Sequence, residues 1–123
     1  MNEVRRKRVE SLIRDMVSKM IVTGEIKDPR VSSFISITRV ETAKDVTTAR
    51  IYVSSIESED ALKRAVQGLN NAAGFIQSSI GKGLRMRSTP KLKFYSDFSL
   101  KEGFEISRKL DELSRGNDVE TPE

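Results

Sequence analysis

Apolar residues recur at helical intervals near the start of the chain. Val9, Leu12, Ile13, Met16, Val17 and Met20 stand at i, i+3, i+4, i+7, i+8 and i+11, the spacing that lines one face of a helix. A first helix is predicted from about Glu3 to Thr23, with this stripe as core. Gly24 offers a left-handed cap, and Asp28-Pro29 keeps the backbone extended so that the helix cannot resume.

The period then changes from that of a helix to that of a strand. SSFISITRV puts Ile35 and Ile37 on one face, and ARIYVSS puts Ala49, Ile51 and Val53 on one face with Arg50 and Tyr52 on the other. The connecting ETAKDVT is short and polar, so the two strands are predicted to pair as an antiparallel hairpin. Ser58 has the chemistry of an N-cap, with Glu59 and Asp60 in the first turn opposing the helix dipole. Leu62, Ala65, Val66, Leu69, Ala73, Ile76 and Ile80 keep helical spacing from there, passing through Gly74. Gly81 and Gly83 are expected to stop the pattern. Pro90 introduces a last strand, KLKFYSD, with Leu92 and Phe94 inward. A strand reached through a helical crossover runs parallel to its neighbour, with a right-handed connection.

The predicted order is therefore helix, strand, strand, helix, helix, strand, an α+β fold with helices packed on one face of a three-stranded mixed sheet. Residues 1–97 form the domain. Residues 98–123 are expected to supply a marginal C-terminal helix, on a weak stripe of Leu100, Phe104, Ile106, Leu110 and Leu113, followed by a disordered acidic tail.

Composition narrows the chemistry. The 123 residues include no cysteine and no histidine, so disulfides, thiolate or imidazole metal sites and Ser-His or Cys-His nucleophiles are excluded. Asp45, Glu57, Glu59 and Asp60 are the clustered carboxylates outside the tail, and turn chemistry and helix capping already explain them. No enzyme activity, metal or cofactor is expected. No apolar run approaches the roughly 18 residues of a membrane span, and the basic N-terminus leads into an acid-interrupted helix unlike a signal peptide. A cytoplasmic protein without membrane partners is the expectation.

The net charge of +4 is unevenly placed: residues 1–96 carry 18 Lys or Arg against 10 Asp or Glu, and residues 97–123 carry 4 against 8. A basic body points to a polyanionic partner. Lys82, Arg85, Arg87, Lys91 and Lys93 form one cluster with no acidic residue among them, and Arg5, Arg6, Lys7 and Arg8 form a second. Such patches bind phosphates and fix orientation while reading little sequence. Tyr52, Phe94, Tyr95 and Phe98 are candidates for base stacking, although Phe94 is better placed as core and the tyrosines as sheet-surface residues.

NAAGFIQSSIGKGLRMR, residues 71–87, has the glycine and lysine content of a phosphate cradle. A Walker-type loop, however, runs from strand to helix and places Ser or Thr after its lysine. Gly81-Lys82-Gly83 instead follows a helix and leads to a strand. Gly74 is read as a bend within a helix, where a β-branched replacement would overpack two closely approaching segments.

DPRVSSFISITRVETAKDVTTARIYVS (28–54), NAAGFIQSSIGKGLRMR (71–87) and PKLKFYSD (90–97) together resemble the ribosome-binding factor A family, in the same order over roughly residues 3 to 100. The resemblance implies a type II KH-like domain in which an Ala-x-Gly kink, matched here by Ala72, Ala73 and Gly74, replaces the GxxG loop. Gly68 is followed by Leu-Asn-Asn, so no GxxG occurs in the region. The resemblance further implies a monomer that binds the free 30S or pre-30S small ribosomal subunit at 16S rRNA. It implies promotion of 5′-end maturation of that RNA without cutting it, and a link to cold adaptation. Read from the residues alone, a general KH-like module for single-stranded RNA or a protein-interaction domain stays open as an alternative.

Overall fold

The computed structural model describes residues 3–84 and 88–98, and the expectations for Arg85, Arg87 and the segment beyond Phe98 lie outside them. Helix α1 spans Glu3–Val22, strands β1 and β2 span Ile35–Thr42 and Thr48–Ser55, helices α2 and α3 span Glu59–Asn71 and Ala73–Leu84, and strand β3 spans Lys91–Ser96. This is the predicted order. The sheet runs β1-β2-β3, with β1 antiparallel and β3 parallel to the central β2. Ile13 and Val17 of α1, Leu62, Ala65 and Leu69 of α2, and Ile76 and Ile80 of α3 bury against Ile35, Val40, Ala49, Ile51, Val53, Leu92 and Phe94 of the sheet. All three helices thus cover one face, and among the described residues nothing covers the other.

Local chemistry sets the boundaries. Ser58 caps α2 by accepting the Ala61 N–H at 3.1 Å. Gly24 takes φ 73° after α1, and the Glu25 N–H returns to the Met20 carbonyl at 3.0 Å. The β1–β2 turn holds Val46 at φ 57°, where a β-branched residue is an outlier; its side chain is 4% exposed, so burial offsets the backbone strain.

Four details depart from the sequence reading. The buried stripe of α1 is Ile13, Val17, Met20 and Ile21, and Leu12 is 44% exposed, because the helix turns its face slightly toward the Ile21 side of the stripe. Strand β1 does not alternate simply: a bulge shifts the register between Ile37 and Arg39. The helical break falls at Ala72, with φ −91° and ψ 4°, and Gly74 lies beyond it inside α3, where, its own helix backbone aside, no described atom comes within 4 Å of where a β-carbon would project. The overpacking expected at Gly74 therefore has no neighbour to act on.

The fourth departure concerns the other two glycines of that stretch. Gly81 and Gly83 do not stop α3, which continues to Leu84. They thin the helix instead: a β-carbon on Gly81 would collide with Thr89 Oγ1, and one on Gly83 with the end of Met16. Lys82 is thereby an ordinary helical residue.

Candidate nucleic-acid interface

The open face of the sheet is built by period-2 alternation and by one irregularity. Along β2 and β3, each residue that follows a core residue points the other way, which places Arg50, Lys91 and Lys93, exposed, and Tyr52 and Tyr95, half-buried, on the uncovered face. In β1 the same parity would carry Arg39 inward after Ile35 and Ile37. The bulge prevents this: Ile37 pairs with Val53, yet Arg39 pairs with Tyr52 and Val40 with Ile51. One extra residue, Thr38, turns Arg39 outward and Val40 into the core. Thr38 is fixed in turn, since its carbonyl accepts Arg14 Nη2 at 3.3 Å and its hydroxyl donates to the Asp97 carboxylate.

The result is a row across all three strands. The Arg39 guanidinium carbon lies 4.2 Å from the Tyr52 ring centroid, the Tyr52 and Tyr95 rings stack at 5.5 Å and 27°, and Lys93 Nζ lies 5.6 Å from the Tyr95 centroid. Each ring of the stacked pair thus has a cation near it, a geometry in which the ring quadrupoles attract the charges. Arg50 pairs in register with Lys93, and Thr48 with Lys91, extending the positive surface along the strands. Among the described residues two carboxylates share this region and both are engaged, Glu41 with Arg39 at 3.1 Å and Asp97 with Thr38.

Among the described residues, the candidate cations named from sequence do not gather at one place. Lys91 and Lys93 stand on the open sheet face, while Lys82 is exposed in the last turn of α3, in the helical layer. Arg5, Arg6, Lys7 and Arg8 occupy the first turns of α1, where Arg6 pairs with Glu3 at 3.0 Å. Sequence reasoning misses Arg39 and Arg50. The alternation of Arg50 with Ile51 is a signal that could have found it, whereas the bulge that exposes Arg39 leaves no trace in the alternation.

At the Ala72 break, the Asp28-Pro29-Arg30 turn packs against the end of α2. Asp28 accepts the Arg30 N–H at 3.0 Å, Arg30 Nε at 2.9 Å and Nη2 at 2.7 Å, and Asn71 Nδ2 at 3.4 Å. Those Arg30 hydrogen bonds hold the Asp28 carboxyl far below the usual carboxylate range. Gly68 makes the approach possible, because a β-carbon there would stand 2.9 Å from Asp28 Oδ1 and 3.0 Å from Val31 Cγ2.

Of the carboxylates named from sequence, Asp45 and Glu57 have hydrogen-bond partners of their own. Asp45 accepts both the Thr47 hydroxyl, at 2.8 Å, and its N–H, at 3.2 Å, which lowers its pKa, and Glu57 accepts the Ser32 hydroxyl at 3.0 Å. Among the described residues no three acidic groups gather as a metal site, and no helix is long and apolar enough to cross a membrane.

Comparison with known proteins gives the chain its family. The family model described as ribosome-binding factor A matches residues 5–110. A protein of that name from Treponema denticola is 44% identical over 123 residues, covering 100% of this chain and 93% of its own. One from Dictyoglomus thermophilum is 47% identical over 109 residues, covering 89% and 90%. The solution structure of a candidate ribosome binding factor A from Thermotoga maritima superposes with a TM-score of 0.65 at 35% identity, over 77% of this chain and 90% of that one. A Thermus thermophilus homology model, fitted into a cryo-EM map of a complex between the 30S subunit and that factor, shares the fold with a TM-score of 0.59 at 22% identity, over 74% and 93%.

Proposed function

The chain belongs to the ribosome-binding factor A family, and from that membership we propose that it binds the small ribosomal subunit during assembly, at 16S rRNA. It acts as a monomer in the cytoplasm. By occupying the immature particle it promotes maturation of the 5′ end of the precursor rRNA without cutting the RNA itself, a task that matters most in the cold. The observation that carries this reading is the family match along nearly the whole chain, from residue 5 to residue 110. The Thermus thermophilus factor sits in a map of a 30S complex, and its fold is the one described above.

The residues suit the task. Lys82, Arg85, Arg87, Lys91 and Lys93, with Arg5, Arg6, Lys7 and Arg8, supply cations for phosphates, which position a protein on folded RNA without reading its sequence. The Ala72, Ala73 and Gly74 stretch replaces the loop with which KH domains clamp single strands, so recognition relies on surface charge and shape. Co-sedimentation of the purified protein with separated small subunits, large subunits and whole ribosomes tests the reading. Selective association with free small subunits is expected; equal association with all three would point to a general RNA-binding module.

A further inference from the structure

The geometry points to the open face of the sheet as a docking surface for the phosphate backbone of folded RNA. Arg39, Arg50, Lys91 and Lys93 are its phosphate contacts, and the Tyr52–Tyr95 pair holds the two outer cations in place. This inference rests on the reading of the chain as a small-subunit binder and adds the surface that does the binding.

Three observations select this occupant. First, four cations stand on the face, and the two carboxylates near it among the described residues are already bound to Arg39 and Thr38. The surplus is positive and spread over three adjacent strands, across roughly 10 Å at the usual strand spacing. Second, each ring of the stacked tyrosine pair is already engaged by its partner ring and by a cation, Arg39 at 4.2 Å from the Tyr52 centroid and Lys93 Nζ at 5.6 Å from the Tyr95 centroid. Unpaired bases need an open ring face to stack on, so the row suits backbone contacts, with its cations held before the RNA arrives. Third, the exposed large apolar residues Val4, Leu12, Val22, Phe34, Ile56 and Phe75 all lie outside these strands. Within the three strands no large aliphatic side chain is exposed, which disfavours a partner that docks through aliphatic contacts.

Salt titrations of binding to purified small subunits test the surface. Removing one cation from a phosphate should flatten the slope of log affinity against log salt by about 1, so the Arg39→Gln, Arg50→Gln, Lys93→Gln triple variant should flatten it by about 3. Replacing the exposed Lys63 and Arg64 on α2 with Gln should leave slope and affinity unchanged. Tyr52→Leu with Tyr95→Leu should weaken binding, and Tyr52→Phe with Tyr95→Phe should restore it, because the rings act by positioning the cations.

If the wild-type protein fails to bind small subunits, the functional reading itself falls. If the wild type binds and the triple variant keeps its slope, only the sheet-face surface falls. Should the triple variant not fold, acetylation of amines in the wild-type complex, read by mass spectrometry, decides: Lys91 and Lys93 should be protected and Lys63 should not. Equal labelling with and without the subunit overturns the proposal. So does protection combined with a salt-independent affinity, which would mean that a ribosomal protein covers the face.

Discussion

The side-chain amide of Asn70 grips the backbone of Phe94 at both ends: Oδ1 accepts the Phe94 N–H at 2.8 Å, and Nδ2 donates to the Phe94 carbonyl at 3.0 Å. Neighbouring positions of β3 bond to β2, as in Lys91 N–H to Thr47 and Asp97 N–H to Val53, so Phe94 turns its polar backbone groups to the outer edge. Asn70 therefore occupies the place of a fourth strand and blunts an edge that would otherwise invite pairing with another chain. Asn70→Ala is expected to cost about 2 kcal/mol, roughly 1 for each bond, measured by urea denaturation. An unchanged midpoint would show that water replaces the amide without loss.

The glycines of α2 and α3 should respond in opposite directions. Gly74→Ala puts a methyl group into open space within a helix and should stabilise the protein by about 0.5 to 1 kcal/mol. Gly68→Ala would press its methyl against Asp28 and Val31 and should destabilise by about 1 to 3 kcal/mol. Denaturant melts of the two variants check both signs, and destabilisation by Gly74→Ala would contradict the break at Ala72.

Acid should loosen the Asp28-Arg30 turn. Asp28 has a folded-state pKa depressed below its ordinary 3.8, so its contribution is complete above that value and is lost as pH falls through the folded-state value. Asp28→Asn should therefore lower Tm at pH 7, and the gap between variant and wild type should shrink as pH drops below 3.8. Thermal melts from pH 7 to pH 2 measure this. A gap that stays constant would assign the effect of Asp28 to shape alone.

Lys82, in the last turn of α3, serves the helix dipole and the surface. Lys82→Ala should change stability by no more than about 0.5 kcal/mol and weaken rRNA binding modestly. Titration with ATP and GTP should give no micromolar binding in either protein; nucleotide binding that disappears in the variant would restore the phosphate-cradle interpretation of the glycine-lysine stretch.

Much of the fold is legible in the sequence because the period of apolar residues changes cleanly between elements. Ala49, Ile51 and Val53 alternate, Leu62 to Leu69 keep helical spacing, and Ser58 carries the chemistry of a cap. The helical crossover from β2 to β3 dictates the parallel pairing. The glycines mislead because one letter stands for several physical uses: Gly81 and Gly83 admit Thr89 and Met16, while Gly74 admits nothing. The candidate interface is half legible. Lys91 and Lys93 stand out as a charge cluster, whereas Arg39 looks inward by parity, and only the bulge at Thr38 brings it over Tyr52.

Parallel pairing of β2 with β3 also imposes an order on synthesis. The β1–β2 hairpin can close as soon as its short turn has formed, but Thr48 meets Lys91 only after both crossover helices have been made. Until that moment the core lacks Phe94, its bulkiest fully buried side chain, and β2 shows a bare edge. A chain ended after Pro90 should therefore remain unfolded by circular dichroism. On the translating ribosome, the nascent protein should stay open to protease until Ser96 has cleared the exit tunnel, and only then close in a single step.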